Sequence, residues 1–202
     1  MATLTPRAVF VTRETEYELL IARHATRDQV RFYLDTRGQD LWDIELQHMR
    51  FHAALREARE AVPSDWRQAR ACRVDLHRFL FGPEDVVIAV GQDGLVANVA
   101  KYLDGQPVLG VNPAPNFYDG VLVRVPLDRL AKLLQAASHN DAPVERRTMV
   151  EAVTDAGERL LALNEIFVGH RSHQSARYLI AEDRGEENQS SSGLIVASGT
   201  GA

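Results

Sequence analysis

A chain of 202 residues with 45% hydrophobic and 25% charged residues has the composition of a folded soluble protein, and it is long enough to bury a core without covalent staples. A formal net charge of −5 argues against nucleic-acid binding through phosphate neutralisation, and the single cysteine, Cys72, excludes an intrachain disulfide framework. No stretch approaches the ~20 apolar residues of a membrane span, and residues 1–13 lack the basic-then-apolar order of a secretion signal, so a cytoplasmic protein is expected.

In chain order, residues 8–11 form a short apolar run with strand character. Helices are predicted at 14–23 and 27–37, the second capped by Thr26 and ended by Gly38. A longer helix is predicted over 41–61, where Leu41, Ile44, Met49 and Ala53 recur every three to four residues. Arg67, Arg70 and Arg73 read as a solvated face, and another helix is expected at about 74–81, stopped by Gly82-Pro83. The texture then changes. Val86-Val87-Ile88-Ala89-Val90 is apolar without alternation, the pattern of a strand buried on both faces of a parallel sheet. Gly91 follows, then a helix at 95–103 and a strand at 107–111, which together make a βαβ unit. A right-handed crossover puts the glycine loop at the carboxyl edge of the sheet, where open α/β folds bind ligands. After the apolar run 121–125, a helix is predicted at 127–137, and the polar patch Ser138-His139-Asn140-Asp141 marks a domain boundary. Strands are expected at 147–154, 159–168, 176–181 and 194–198, with 182–192 as a solvated loop.

The sequence carries neither the G-x-x-x-x-G-K-[ST] phosphate loop nor the G-x-G-x-x-G fingerprint. Gly91-Gln92-Asp93-Gly94, between strand and helix, reads either as a phosphate cradle or as a β-turn with Asp93 capping the helix. In the first case Asp93 faces a metal bridging the phosphate charge, or orients a substrate hydroxyl. Asn112, after the next strand, either reaches the same crevice or ends the strand in a turn. Asn164-Glu165 interrupts an apolar run, as a ligand-facing amide and carboxylate or as a solvent-facing pair. The small residues at 190–202, with Thr200 among them, suit a phosphate-lining turn or a flexible tail. His48 and His52 share a helix face with Glu45 nearby, but no third ligand is suggested and no metal site is expected.

In this order and spacing, residues 86–202 resemble the ATP-NAD kinase family. Gly91-Gln92-Asp93-Gly94 is similar to its Gly-Gly-Asp-Gly loop, Gly110-Val111-Asn112 to its Gly-x-Asn element and Asn164-Glu165 to its dinucleotide-binding motif. Ser191-Ser192-Gly193 and Gly199-Thr200-Gly201 resemble the start of its late glycine- and threonine-rich segment. The resemblance implies transfer of the γ-phosphoryl group of ATP, with Mg²⁺, to the adenosine 2′-hydroxyl of NAD, giving NADP. It implies that Asp93 orients or deprotonates that hydroxyl, that Gly91, Gln92, Gly94, Asn112 and Thr200 line the nucleotide phosphates, and that Asn164 and Glu165 hold NAD. Two positions depart from the pattern. Gln92 replaces a glycine, and Ser192 stands where many members carry an acidic residue. Family members continue past the late motif, so the expected architecture is an α/β parallel-sheet nucleotide-binding domain at 1–141 followed by an incomplete β-rich NAD-binding domain at 142–202. The expected partners are nucleotides and further copies of the chain, with no nucleic acid and no membrane. Two alternatives accompany this reading: a non-catalytic nucleotide-binding or regulatory homologue, motivated by Gln92 and the early end, and a kinase of the same superfamily acting on a lipid or another alcohol.

Overall fold

The computed structural model describes residues 5–201; residues 1–4 and 202, at the outer ends of the two expected domains, lie outside the described residues. The chain divides into two compact units, residues 1–144 and 145–202.

The first unit is mixed α/β. Strand β1 (Arg7–Thr12) is buried from Ala8 onward. Helix α1 (Glu16–His24) opens in a capping box in which the Thr15 side chain accepts from Glu18 N and the Glu18 carboxylate accepts from Thr15 N. Helix α2 (Arg27–Asp35) is capped by Thr26, whose hydroxyl accepts from Gln29 N at 3.3 Å. Helix α3 (Leu41–Glu60) starts behind Asp40 and buries Leu41, Ile44, Phe51, Ala54, Leu55 and Ala58. That stripe corrects the expected one. A 3.6-residue period carries the inner face through 51, 54, 55 and 58, leaving Met49 and Ala53 outside it.

Strand β2 (Arg67–Cys72) follows where a solvated basic face was expected. Ala69 and Ala71 turn inward while Arg67, Gln68 and Arg70 stay exposed, so the strand alternates small and charged residues. A 3₁₀ helix (Arg73–Arg78) replaces the α-helix predicted at 74–81, and the chain is extended again at Phe79. Strand β3 (Asp85–Val90) is buried at every residue. Helix α4 (Asp93–Ala100), strand β4 (Val108–Val111) and helix α5 (Leu127–Ser138) complete the unit.

The four strands are parallel in the order β2-β1-β3-β4. Alternation of side chains across the sheet builds two cores. Ala8, Phe10, Val86, Ile88, Val90, Leu109 and Val111 pack with Phe51, Leu55 and Ala58 of α3 and Leu130 and Leu134 of α5. From the opposite face, Val9, Val11, Ala71, Val87 and Ala89 pack with Leu76 and with Leu95, Val96 and Val99 of α4. Helices therefore cover both faces, as a parallel sheet requires.

The second unit is made of two-stranded antiparallel sheets: β5 (Val150–Val153) with β6 (Arg159–Ala162), β7 (Glu165–Gly169) with β10 (Gly193–Ala197), and β8 (Ala176–Glu182) with β9 (Gly185–Ser191). Two expectations are corrected here. The strand predicted over 159–168 is broken at Leu163-Asn164, because β6 pairs with β5 while β7 pairs with β10. The segment expected as a solvated loop contains β9, held in a hairpin by pairing from Ala176–Ser191 to Glu182–Gly185. Among the described residues, no helix is long and apolar enough to cross a membrane.

Candidate functional site

The chain leaves β1 for one neighbour, β2, and later places β3 on its other side, so the strand order reverses between β1 and β3. In open parallel sheets that reversal opens a crevice at the carboxyl ends of the strands. Two loops flank it here, one after β1 at Arg13-Glu14 and one after β3 at Gly91-Gln92. They touch: Arg13 Nη2 donates to Gln92 Oε1 at 3.0 Å.

The glycine loop has a defined structure. Gly91 N donates to Val111 O at 2.9 Å, which fastens the end of β3 to the end of β4. Gln92 is the residue preceding α4, and its side chain caps none of the helix's first N–H groups. Leu95 N is met by Gln92 O at 2.9 Å, whereas the N–H groups of Asp93 and Gly94 have no intrahelical acceptor, so they offer hydrogen bonds and the positive end of the helix dipole to an anion. Gly94 is exposed, with open space where a Cβ would lie. The alternative of Asp93 as helix cap does not hold, because α4 begins at Asp93 itself.

Instead, Asp93 turns its carboxylate to the segment before α5. Oδ2 accepts from Val121 N at 2.8 Å, and Oδ1 accepts from Leu122 N at 2.8 Å and Val123 N at 3.1 Å. A carboxylate offers about four lone-pair positions, so three amides leave about one for another donor. Asn112 anchors the same connection from its other end: Nδ2 donates to Tyr118 O at 2.8 Å and Oδ1 accepts from Ala114 N at 2.9 Å. Both predicted polar residues therefore shape the 112–123 connection, and the apolar run at 121–125 is irregular chain rather than a strand. Gly110 permits the close approach. A Cβ there would stand 2.3 Å from Leu122 O, and Val125 N donates to Gly110 O at 2.9 Å.

Aromatic and cationic groups lie along the connection. Arg50 of α3 sits 4.2 Å from the centre of the Phe117 ring, and Arg50 Nη1 is buried without a hydrogen-bond partner. Burial pushes the Tyr118 phenol above its ordinary range, while the nearby charge of Arg13 pulls it down.

In the second unit, Asn164, Glu165 and Thr200 are drawn together. Asn164 lies at the break between β6 and β7. Its carbonyl accepts from Ser198 N at 2.8 Å, and the buried Ser198 hydroxyl donates to Leu163 O. The turn after β10 then folds over this corner: a Cβ on Gly201 would fall 2.5 Å from Asn164 O, and Thr200 N donates to Ser198 Oγ at 3.1 Å. Asn164 Oδ1 is buried without a hydrogen-bond partner, and the neighbouring Glu165 is exposed. Arg147 donates to Thr200 Oγ1 at 3.4 Å and pairs with Glu145 at 2.6 Å.

A further cluster lies on α1 and α3. Glu45, the carboxylate adjoining His48 and His52 in sequence, is engaged by Arg27 at 2.5 and 2.8 Å. Glu18 approaches the histidines instead, with Oε1 3.2 Å from His52 Nε2, while Thr15 Oγ1 lies 2.8 Å from His48 Nδ1. Burial and the neighbouring His52 hold His48 below the usual histidine range. For Glu18, burial acts upward, but hydrogen bonds from Thr15 and the charge of His52 outweigh it and the carboxyl is held low.

Sequence reasoning did not single out Arg13, Arg50 or Glu18. Only Arg13 carried a local signal, as a cation two residues past the first apolar run. No model of a known protein family matches the chain, and no curated protein matches it.

Proposed function

We propose that the chain binds a nucleotide at Gly91-Gln92-Asp93-Gly94 and acts as a phosphotransferase of the ATP-NAD kinase type, moving the γ-phosphoryl group of ATP to the 2′-hydroxyl of NAD. The observation that carries this reading is the uncapped N-terminus of α4, opening from a glycine loop beside the strand-order reversal of a parallel sheet. Phosphoryl transfer depends mostly on positioning and charge stabilisation, which backbone amides and a few side chains supply. In this reading the first N–H groups of α4 receive phosphate oxygens and Arg13 adds a positive charge. The lone pair left on the Asp93 carboxylate orients the attacking hydroxyl. Within the second unit, Asn164 and Glu165, with Thr200 beside them, offer an amide, a carboxylate and a hydroxyl to a nucleotide.

Mg²⁺ fits as a companion of the ATP phosphates rather than as an ion held by its own protein cage. It keeps several waters and takes one or two carboxylates at most. Asp93 has little capacity left for it, and among the described residues the one cluster of three ligating side chains lies on α1 and α3.

Purified protein incubated with ATP, Mg²⁺ and NAD should form NADP. Absence of NADP, together with no thermal shift from either nucleotide, would remove the reading. A second reading has its own observation. The Asp93 carboxylate already holds three amides, and the Gln92 side chain is tied to Arg13, which suits a loop fixed for binding without turnover. A thermal shift with ATP or NAD and no NADP would select this non-catalytic nucleotide-binding role.

A further inference from the structure

α1 buries none of its residues completely. It rests on the rest of the unit through the half-buried Tyr17, Leu20 and Ile21, which pack against Val30, Leu34, Leu41 and Ile44. At its first turn a polar cluster faces α3. His48 and His52 are one helical turn apart on α3, so their rings project from one face, with centroids 4.4 Å apart. Two imidazoles one turn apart form a chelating pair, since both can direct a ring nitrogen to a common point.

Glu18 completes the set from the other helix. Its Oε2 receives Thr15 N at 2.7 Å within the capping box, which fixes the carboxylate and leaves Oε1 toward the histidines. Thr15 Oγ1, 2.8 Å from His48 Nδ1, supplies the contact that orients a ligating imidazole through its other nitrogen. One ring nitrogen from each histidine and one Glu18 oxygen all lie within 4.8 Å of one another. Metal–ligand distances of about 2.0–2.2 Å place tetrahedral ligand atoms about 3.4 Å apart, so side-chain rotation of roughly an ångström closes the set. His52 and Glu18 are 40% and 34% exposed, which gives an ion a path from solvent.

We propose that Glu18, His48 and His52 form a binding site for a divalent transition-metal ion of the zinc class, joining α1 to α3. Two imidazoles and one carboxylate suit such an ion, whereas Mg²⁺ and Ca²⁺ take oxygen donors. Three protein ligands leave a fourth tetrahedral position to water. The ion ties a helix with no fully buried residue to the long helix under the sheet, and it stabilises the folded chain by mass action. This site is independent of the nucleotide reading.

The test uses tag-free full-length protein, first treated with EDTA and dialysed. Calorimetric titration with ZnCl₂ should show one equivalent bound, with a rise in melting temperature that EDTA reverses. Co²⁺ should give the visible bands of a tetrahedral nitrogen–oxygen site. His48→Ala, His52→Gln and Glu18→Gln should each weaken Zn²⁺ binding by at least about tenfold. His52→Gln is at a 40% exposed side chain, and Glu18→Gln keeps an oxygen for the capping box, so folding is preserved and checked by circular dichroism without metal. Failure to bind Zn²⁺, or Zn²⁺ affinity in His52→Gln and Glu18→Gln within threefold of the unsubstituted chain, overturns the site.

Discussion

Arg13 and Gln92 meet across the mouth of the sheet, guanidinium to side-chain carbonyl at 3.0 Å, and bridge the loops that follow β1 and β3. Both side chains are exposed, so the contact adds little to folding, and its weight falls on whatever enters the crevice. Arg13→Ala should leave stability within about 0.5 kcal/mol while weakening ATP binding about tenfold, the loss of one charge-assisted hydrogen bond. Calorimetric titration with ATP checks this. Unchanged affinity would remove Arg13 from the phosphate contacts.

Asp93→Asn tests more than chemistry. An amide keeps one acceptor oxygen but turns an N–H₂ toward backbone donors that now meet a carboxylate. We expect a loss of about 2–3 kcal/mol and faster hydrogen exchange at Val121, Leu122 and Val123. Unaltered exchange at those amides would show that the connection is held by other means. Because the substitution disturbs the loop, lost turnover in this variant alone would not identify a catalytic carboxylate. Val121→Pro, which removes one amide and keeps Asp93, is the control.

The Arg7–Asp85 pair joins the starts of β1 and β3. Asp85 is 3% exposed and accepts from Arg7 Nε at 2.7 Å, from Arg7 Nη2 at 2.6 Å and from Gly82 N at 2.8 Å. Asp85→Ala takes the carboxylate from a guanidinium left with Leu80 O alone, at 3.0 Å, and strands the Gly82 amide. Arg7 keeps some solvent contact, so the expected cost lies at the low end for broken buried pairs, about 3 kcal/mol in urea unfolding.

Gly110→Ala should destabilise by about 1–3 kcal/mol, since its methyl group meets backbone rather than a movable side chain. Gly94→Ala, in open space within the first turn of α4, should be neutral or slightly stabilising. A melting-temperature comparison of the two variants reads out the contrast. Equal effects would show that the 112–123 connection yields freely.

Acid sensitivity is expected at the α2–α3 contact. The hydrogen bond from Arg27 holds the Glu45 carboxyl below its ordinary range despite the opposing effect of burial. A carboxyl depressed in the folded state contributes stability above its unfolded pKa, and the contribution disappears as pH falls through the lower folded value. The unsubstituted chain should therefore exceed Glu45→Gln in stability near neutrality, and the gap should close below pH ~4. A gap that persists at the acid end would place the effect in packing.

Particular residues show what the sequence made legible. The unbroken apolar run ending at Val90, the glycine after it and the apolar strand ending at Val111 carry their own structural reasons, and the β3–α4–β4 unit follows from them. β2 was hidden because its inward positions are alanines, too small to contrast with the arginines between them. β9 was hidden because Glu186, Glu187, Asn188 and Gln189 have no strand preference of their own and adopt one by pairing with β8. Asp93 and Asn112 were legible as important positions, but their partners were not. Those partners are backbone amides and carbonyls, which every sequence possesses and none advertises. Glu18 escaped notice beside His48 and His52 because thirty-odd intervening residues of helix and turn bring it there.

The bond from Val125 N to Gly110 O has a bearing on self-association. An outermost strand with unmet amides and carbonyls invites a foreign strand to dock. On the β4 side, the returning chain occupies part of that docking line and crowds it with the backbone of Leu122 and Val123. On the β2 side the guanidinium groups are turned back onto the chain, Arg67 to Thr5 O at 3.0 Å and Arg70 to Thr12 Oγ1 at 3.1 Å. At its β4 margin the sheet is thus guarded by its own backbone, through the return from Leu122 to Val125.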